Sequence, residues 1–203
     1  MNKKRRNSGK TEKGNFFTSN YKECWKFLKE SSDYIVVALS IFCIFAIIGF
    51  ALPIFFQEQI LRILQDMAKR FEGLGVFQTI VGIFFNNLFA SIMIMVLGIG
   101  FGIFALFQII FNGYVLGFVA RIVSEQEGIS ILWRLLPHGI FELPAIILSM
   151  GVGLKLGVNL FHKNRWKLLG KDFRESIRFF FFIVLPLLLI AAIIEGILVV
   201  LIG

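Results

Sequence analysis

The sequence predicts an all-α protein, a polytopic transmembrane helical bundle of about five spans with an interfacial amphipathic helix after the first span. Two observations predict this class. Of the 203 residues, 57% are hydrophobic and 25 are phenylalanine, which is unusual for a soluble domain of this size. The chain also has no charged residue between Glu72 and Arg121. Because one span needs about 20 apolar residues, that stretch is long enough for two spans.

The chain is predicted to divide into a basic cytoplasmic N-terminal segment, residues 1–33, and a transmembrane helical domain, residues 34–203. The apolar run that follows the basic segment has no small-residue cleavage site after it, so we expect it to be retained as the first span. Cys24 falls in the basic segment and Cys43 in the first span, so no disulfide framework is expected.

The apolar runs predict spans at about 34–52, 80–98, 103–122, 137–156 and 177–201. Pro53 ends the first span, and the stretch GIGFG at 98–102 favours a bend between the second and third. The alternative is one longer tilted helix followed by a short one near Asn112 and Gly113. The stretch HKNRWKLLGKDFRESIR at 162–178 is expected to be a basic loop before the last span.

The connection after the first span predicts an amphipathic helix over about residues 55–72. Its apolar residues recur at helical spacing and its charged residues lie largely off that stripe, so the helix is too polar to span and should rest in the interface. The stripe consists of Phe56, Ile60, Leu64, Met67 and Phe71.

The distribution of basic residues predicts the orientation. Residues 1–33 carry nine Lys and Arg, and residues 155–178 carry seven. Five spans put both segments on one side, which the positive-inside rule makes the cytoplasm, whereas four spans would separate them. We therefore expect a multi-pass protein of the cytoplasmic membrane with its N-terminus inside and its C-terminus outside.

Polar side chains are predicted to share a depth in the outer half of the membrane, apart from one asparagine near its middle. With a rise of about 1.5 Å per residue, Glu142 lies roughly 7 Å deeper than His138, Glu195 roughly 9 Å deep, and the asparagines of the second span roughly 10 Å deep. Ionisable groups at such depths face inward and pair, share a proton, hold a cation or line a wet cavity. The alternative is a structural role in helix packing. The predicted intramembrane polar site comprises His138, Glu142, Glu195, Asn86, Asn87 and Asn112.

The fourth span carries helix-breaking residues beside these groups. Pro137 suits a first helical position, and Pro144 removes a backbone donor and crowds the carbonyl of Ile140. Gly139 lies where a helix N-terminus would direct unpaired N–H groups. Broken helices with ionisable groups mark many ligand and ion sites in membranes.

Two further features are expected to be structural. Arg121 and Arg134 lie at the ends of spans, where arginines anchor helices at the membrane rim. Small residues also recur one turn apart, a spacing that favours close helix packing within the chain over dimerisation. These are Gly98 and Gly102, Gly113 and Gly117, and Ser149, Gly153 and Gly157.

No cofactor is predicted. His138, Glu142 and Glu195 are one imidazole and two carboxylates, which together could bind a metal ion such as zinc, but a His-x-x-x-Glu spacing is common by chance. The chain has no HExxH and no GxSxG motif, so an enzyme is not the leading expectation. The net charge of +8 is assigned to topology and anionic lipid headgroups rather than to nucleic acid.

Three stretches resemble the stage II sporulation protein M family. They are NNLFASIMIMVLGIGFGIFALFQIIFNGYVLGFV at 86–119, LLPHGIFELPAIILSMGVGLKLG at 135–157 and LLLIAAIIEGIL at 187–198. The family pattern usually continues with Phe and then Val/Thr-Pro after the late glutamate, whereas this chain reads EGILVVLIG. The resemblance implies a multi-spanning membrane protein and no established reaction. The motif positions are Asn86, Asn87, Asn112, Gly113, Pro137, His138, Glu142, Pro144 and Glu195.

Three functions follow as hypotheses. The first is a membrane scaffold or assembly factor, because the family's sporulation member is described as a scaffold for a cell-wall-degrading complex. Its expected partners are membrane lipids, other membrane or envelope proteins and a second copy of the chain. The second is a transporter or an ion- or lipid-handling protein that uses His138, Glu142 and Glu195. The third is an intramembrane metalloenzyme with the same triad.

Overall fold

The computed structural model describes residues 16–100, 102–128, 130 and 136–202, with side chains for all of these except 68, 127, 136–138 and 201–202. The described residues form helices and no strands. The helices are α1 (Phe16–Glu30), α2 (Ser32–Ala51), α3 (Gln57–Phe71), α4 (Val76–Leu97), α5 (Ile103–Glu127), α6 (Leu136–Val158), α7 (Arg165–Phe179) and α8 (Leu185–Ile202). A π-helical segment, Phe180–Val184, joins α7 to α8 without a break.

Five helices are long and apolar enough to cross a membrane, which confirms the predicted all-α bundle of five spans. They are α2, α4, α5, α6 and the continuous helix that ends in α8. The bend between α4 and α5 lies where the glycines predict it, with Gly102 in a left-handed conformation at φ 72°. The alternative of one long helix through this stretch is wrong.

Two predicted boundaries differ from the structure. The stretch expected to be a basic loop is helix α7, because Asp172, Ser176 and Phe179 recur every three or four residues and form a buried stripe. Within the predicted N-terminal segment, α1 buries Cys24 and Phe27 in the same hydrophobic cluster as residues of α6 and α8. Both helices lie at one end of the bundle, called here the basic end, and the other is called the opposite end.

Helix α6 is the centre of the bundle, because it packs against α2, α4, α5 and α8. On one side of it, α2 and α5 lie together so closely that a Cβ atom at Gly113 would come within 2.5 Å of the Phe42 carbonyl oxygen. On the other side, a Cβ at Gly98 of α4 would lie 2.5 Å from the carbonyl oxygen of Gly153 in α6. The small residues therefore serve packing within the chain, as predicted.

Helix α3 is amphipathic, as predicted, and lies at the opposite end. Its Ile60 is buried against Tyr114 and Phe118 of α5. The Tyr114 hydroxyl accepts a hydrogen bond from the Phe55 backbone N–H and donates one to the Leu52 carbonyl, each at 2.9 Å. These two bonds fix the turn that leads from α2 into α3.

Candidate functional site

Helices α4, α6 and α8 bring three of the predicted polar side chains together. The carboxyl group of Glu142 in α6 lies beside the Glu195 carboxyl group of α8 and the Asn87 side chain of α4, close enough for all three to interact. Asn87 is 7% exposed. Two carboxyl groups held next to each other repel strongly when both are ionised, so such a site favours a state in which one of them carries a proton. The arrangement is therefore a pair of neighbouring carboxyl groups beside an amide.

Small residues allow the three helices to approach closely around this pair. Gly196, next to Glu195, faces α4 so closely that a Cβ atom there would lie 3.0 Å from the Cα of Ile80. Ala145 in α6 and Ala191 in α8 are completely buried. Because none of these positions carries a long side chain, the polar groups of three helices can meet.

The pair lies in the half of the bundle near the opposite end. Glu142 is six residues after Leu136, the first residue of α6, and Glu195 is seven residues before Ile202, which are axial distances of about 9 and 10 Å. Asn87 is eleven residues after Val76, the first residue of α4, or about 16 Å. Since α4 begins four residues before the predicted position, Asn87 lies deeper than expected, near the middle of its helix.

The other two asparagines bond within their own helices. Asn86 is exposed on α4 and its amide donates to the Asn87 Oδ1 at 3.3 Å. The amide of Asn112 donates to the Gln108 carbonyl oxygen at 2.8 Å. Of the adjacent pair in α4, the structure thus turns Asn87 towards the carboxyl groups and Asn86 towards the surface.

Ser91 adds a polar group that sequence reasoning missed. It follows Asn87 by four residues, so the two share one face of α4. Its side chain is completely buried, and no hydrogen-bond partner is found for the hydroxyl oxygen among the residues that the structure describes. The Ser91 hydroxyl is thus a second buried polar group on the face of α4 that carries Asn87.

Several predicted residues of this region lie outside the described part or away from the pair. Arg134 lies outside it, as do the side chains of Pro137 and His138. Among the described residues no group of three or more His, Cys, Asp and Glu could hold a metal ion. The predicted triad includes His138, so it stays a prediction.

The structure also describes the surroundings of Pro144, Gly139 and Arg121, which were predicted as helix-breaking and rim residues. Pro144 lies inside α6, two residues after Glu142, and is exposed. A Cβ at Gly139 would make only ordinary contact, 3.5 Å from a Leu143 methyl group. Arg121 donates from Nε to the Glu125 carboxylate at 2.6 Å, which fits an anchor at the end of α5.

A second buried polar cluster lies at the basic end and was missed by sequence reasoning. The Lys155 ammonium group of α6 donates to the Ser31 hydroxyl at 3.1 Å and lies 3.5 Å from the Asp172 carboxylate of α7. Asn159 donates to the same carboxylate at 3.0 Å. Both charged side chains are 7% exposed. The sequence signal is a lysine flanked by leucines in an apolar run, which the positive-inside rule interprets only as a charge that sets topology.

Helix α1 joins the same end through a surface ion pair. Lys171 of α7 donates to the Glu30 carboxylate at 3.1 Å, and this hydrogen bond holds the pKa of Glu30 below its usual value. Burial raises the pKa of the Cys24 thiol in α1. Cys43 lies exposed on α2, and both cysteines are free.

The sequence of this chain is similar to a known protein family and to two archaeal proteins. A family model described as Stage II sporulation protein M matches residues 38–199. One archaeal protein of Methanocaldococcus jannaschii, described as uncharacterized, is 35% identical over 104 residues, 48% of this chain and 45% of the relative. A second uncharacterized protein of that organism is 30% identical over 116 residues, 54% of this chain and 65% of the relative. The matches thus cover about half to two thirds of these relatives' own lengths. No solved structure matches.

Proposed function

The chain belongs to the stage II sporulation protein M family, whose members are membrane proteins, and we propose that it handles ions within the bilayer through the Glu142–Glu195 pair. In this proposal the pair takes up and releases a proton or a monovalent cation, and the protein couples that exchange to transport. The observation that carries it is the close approach of two carboxyl groups from different spans, α6 and α8.

Electrostatics supports exchange at this pair. Two ionised carboxylates in contact repel each other strongly where the dielectric constant is low, so the fully deprotonated pair is unfavourable without a cation. The singly protonated pair carries one negative charge, which attracts a cation or a second proton. Asn87 supplies a neutral amide to the same pair, and the Ser91 hydroxyl supplies an oxygen one turn away.

The backbone near the pair supports coupling to movement. Pro144 lies two residues after Glu142 within α6, and a proline inside a helix removes the hydrogen bond to the carbonyl four residues earlier. Helices kink at such positions. Glu142 lies in the short segment of α6 between Leu136 and Pro144. Protonation of its carboxyl group would therefore move this segment relative to the rest of the helix.

Ion flux into proteoliposomes tests the proposal. The variants are Glu142→Gln and Glu195→Gln, and the matched control is Glu125→Gln, which removes a carboxylate exposed at the end of α5. We expect each pair variant to lower proton or sodium flux at least tenfold and the control to leave it unchanged. Flux that is absent in the native protein, or unchanged in both folded pair variants, would contradict the proposal.

A scaffold or assembly role is the second candidate, supported by helix α3. Ile60 holds α3 on the bundle, while Glu58 and Arg62 present side chains that are 83% and 78% exposed. This fixed polar face is a surface for a membrane or envelope partner. If the chain is a scaffold, the native chain and the Glu142→Gln variant should co-purify the same partners in equal amounts. Purification of the chain alone from native membranes would count against it.

For both candidates we propose that the basic end faces the cytoplasm. The support is the concentration of Lys and Arg in residues 1–33 and 155–178, because basic segments that flank membrane spans stay on the cytoplasmic side. Reporter fusions at the two termini test this orientation. Activity of an N-terminal reporter that works only on the outer side of the membrane would contradict this orientation.

A further inference from the structure

Helix α1 carries a distinct aromatic face. Phe17, Tyr21 and Trp25 follow one another at intervals of four residues, so they share one side of the helix. Their side chains are 64%, 49% and 60% exposed. The rings of Phe17 and Tyr21 also contact the ring of Phe182, with centroids 6.4 and 5.7 Å apart. The aromatic face therefore continues onto the helix that leads into α8.

The charges of α1 are separated by sign. Lys22, Lys26 and Lys29 occur at intervals of four and three residues and form one exposed edge, which borders the aromatic face. Glu23 and Glu30 are seven residues apart and share a different side of the helix, where Glu30 bonds to α7. The lysine edge, defined as these three lysines, thus lies between the aromatic face and the acidic side, and its Lys26 is close enough to Glu30 to help lower the pKa of that carboxyl.

A groove of about 440 Å³ lies between the aromatic face and the last span. Its walls are mostly apolar and come from Tyr21, Trp25 and Leu28 of α1 and from Phe179 and Ile183 of the continuous helix. One member of the lysine edge, the residue after Tyr21, lines the same groove. The groove therefore combines an apolar wall with a cationic rim.

The groove lies at the level where the last span leaves the polar region of the chain. Arg178 is the last basic residue of α7, and from Phe179 to Ile202 the only charged residue is Glu195. Tyr and Trp side chains are enriched at this level of membrane proteins, where one end of the ring is apolar and the other is hydrated. The groove thus opens where headgroups meet acyl chains.

We propose that this groove binds an anionic phospholipid of the bilayer. Its acyl chain lies against Trp25, Leu28 and Ile183, and its phosphate group accepts hydrogen bonds from the lysine edge. Lys22 lines the groove, and the Lys29 ammonium group lies 5.6 Å from the centre of the Trp25 ring. The occupant is anionic because the rim is cationic, and it is a lipid because the walls are apolar. This inference is independent of the carboxyl pair.

Quenching of Trp25 fluorescence by brominated lipids tests the proposal in nanodiscs that hold the full chain. Trp133→Phe and Trp166→Phe leave Trp25 as the single tryptophan of the sequence. A minority of brominated phosphatidylglycerol or of brominated phosphatidylcholine is added to the same unbrominated bilayer. We expect the anionic lipid to quench Trp25 at a lower mole fraction than the zwitterionic lipid.

The lysine variants give the decisive comparison. Each lysine near an anionic surface contributes about a fivefold preference, so Lys22→Gln with Lys29→Gln is expected to remove most of the preference for the anionic lipid. Lys167→Gln is the matched control, because Lys167 is an exposed lysine of α7 at the same end. Equal quenching by both lipids, or an equal loss in Lys167→Gln, would overturn the proposal. Weak quenching by both lipids would overturn it as well, since a protein segment would then cover the groove.

Discussion

The contact between Gly98 and Gly153 predicts a loss of stability in Gly98→Ala, and the distances between the two helices give its magnitude. In Gly98→Ala, the new methyl group would lie 2.5 Å from the Gly153 carbonyl oxygen and 2.6 Å from its Cα atom. Ordinary contacts between such atoms are about 3.5 Å, so α4 and α6 must separate by about 1 Å. Backbone atoms cannot move aside by a rotamer change, which makes the collision difficult to relieve.

The expected loss of stability is about 2 kcal/mol. Overpacking in a well-packed region is destabilising by about 1–3 kcal/mol, and the backbone contact places this change near the upper end. The better helix propensity of alanine offsets less than about 1 kcal/mol, because Gly98 lies at the end of α4. For a chain of this size the apparent Tm should fall by about 4–8 °C.

Thermal unfolding in detergent, followed by intrinsic fluorescence, measures this effect. Gly170→Ala is the matched control, because no atom lies within 4 Å of its added Cβ. It should raise the Tm by about 2–4 °C through helix propensity alone. If Gly98→Ala were as stable as Gly170→Ala, α4 and α6 would not be packed as closely as the structure describes.

Three further predictions concern the basic end and the turn after α2. Lys155→Met should lower the free energy of unfolding by about 3–5 kcal/mol, because it leaves the Asp172 carboxylate buried without its cation; a second substitution, Asp172→Leu, should restore much of the loss in the same unfolding measurement. Lys171 holds the pKa of Glu30 below 4.5, so this ion pair stabilises the fold above pH 4.5 and the contribution is lost as the pH falls through the lowered pKa. Unfolding curves of the native chain and Glu30→Gln should therefore differ at pH 6 and converge in stronger acid, and a constant difference would contradict the pairing. Tyr114→Phe should lower stability by about 1–3 kcal/mol, because two hydrogen bonds that contribute about 0.5–1.5 kcal/mol each are lost, and an unchanged denaturation midpoint would exclude that role.

The sequence was sufficient to predict the five spans because membrane helices are constrained by length and apolarity. It also singled out Glu142 and Glu195, since carboxyl groups are rare in apolar runs. It could not separate Asn86 from Asn87. Helix α4 is apolar on all sides, so its sequence does not indicate which face is buried. The choice depends on the approach of α8 at Gly196.

Short polar helices were the main part of the fold that the sequence did not predict. In α1 and α7 the buried stripes include Cys24, Asp172 and Ser176, which are not the large apolar residues that indicate an amphipathic helix. Lys155 was interpreted through the positive-inside rule because it lies near the end of a span. Its buried position depends on Asp172, which is distant in sequence and reaches it only through the packing of α7.

The two polar clusters also pair both ends of α6 with side chains that come later in the chain. Helix α6 is translated before α7 and α8, so when it enters the bilayer Glu142 has Asn87 available on α4, but Glu195 does not yet exist. Lys155 at the other end of α6 likewise precedes Asp172. A chain that ends after α6 therefore lacks the later partners of both Glu142 and Lys155. The continuous α7–α8 helix brings Asp172 to Lys155 and Glu195 to Glu142, so one element supplies partners to both ends of α6.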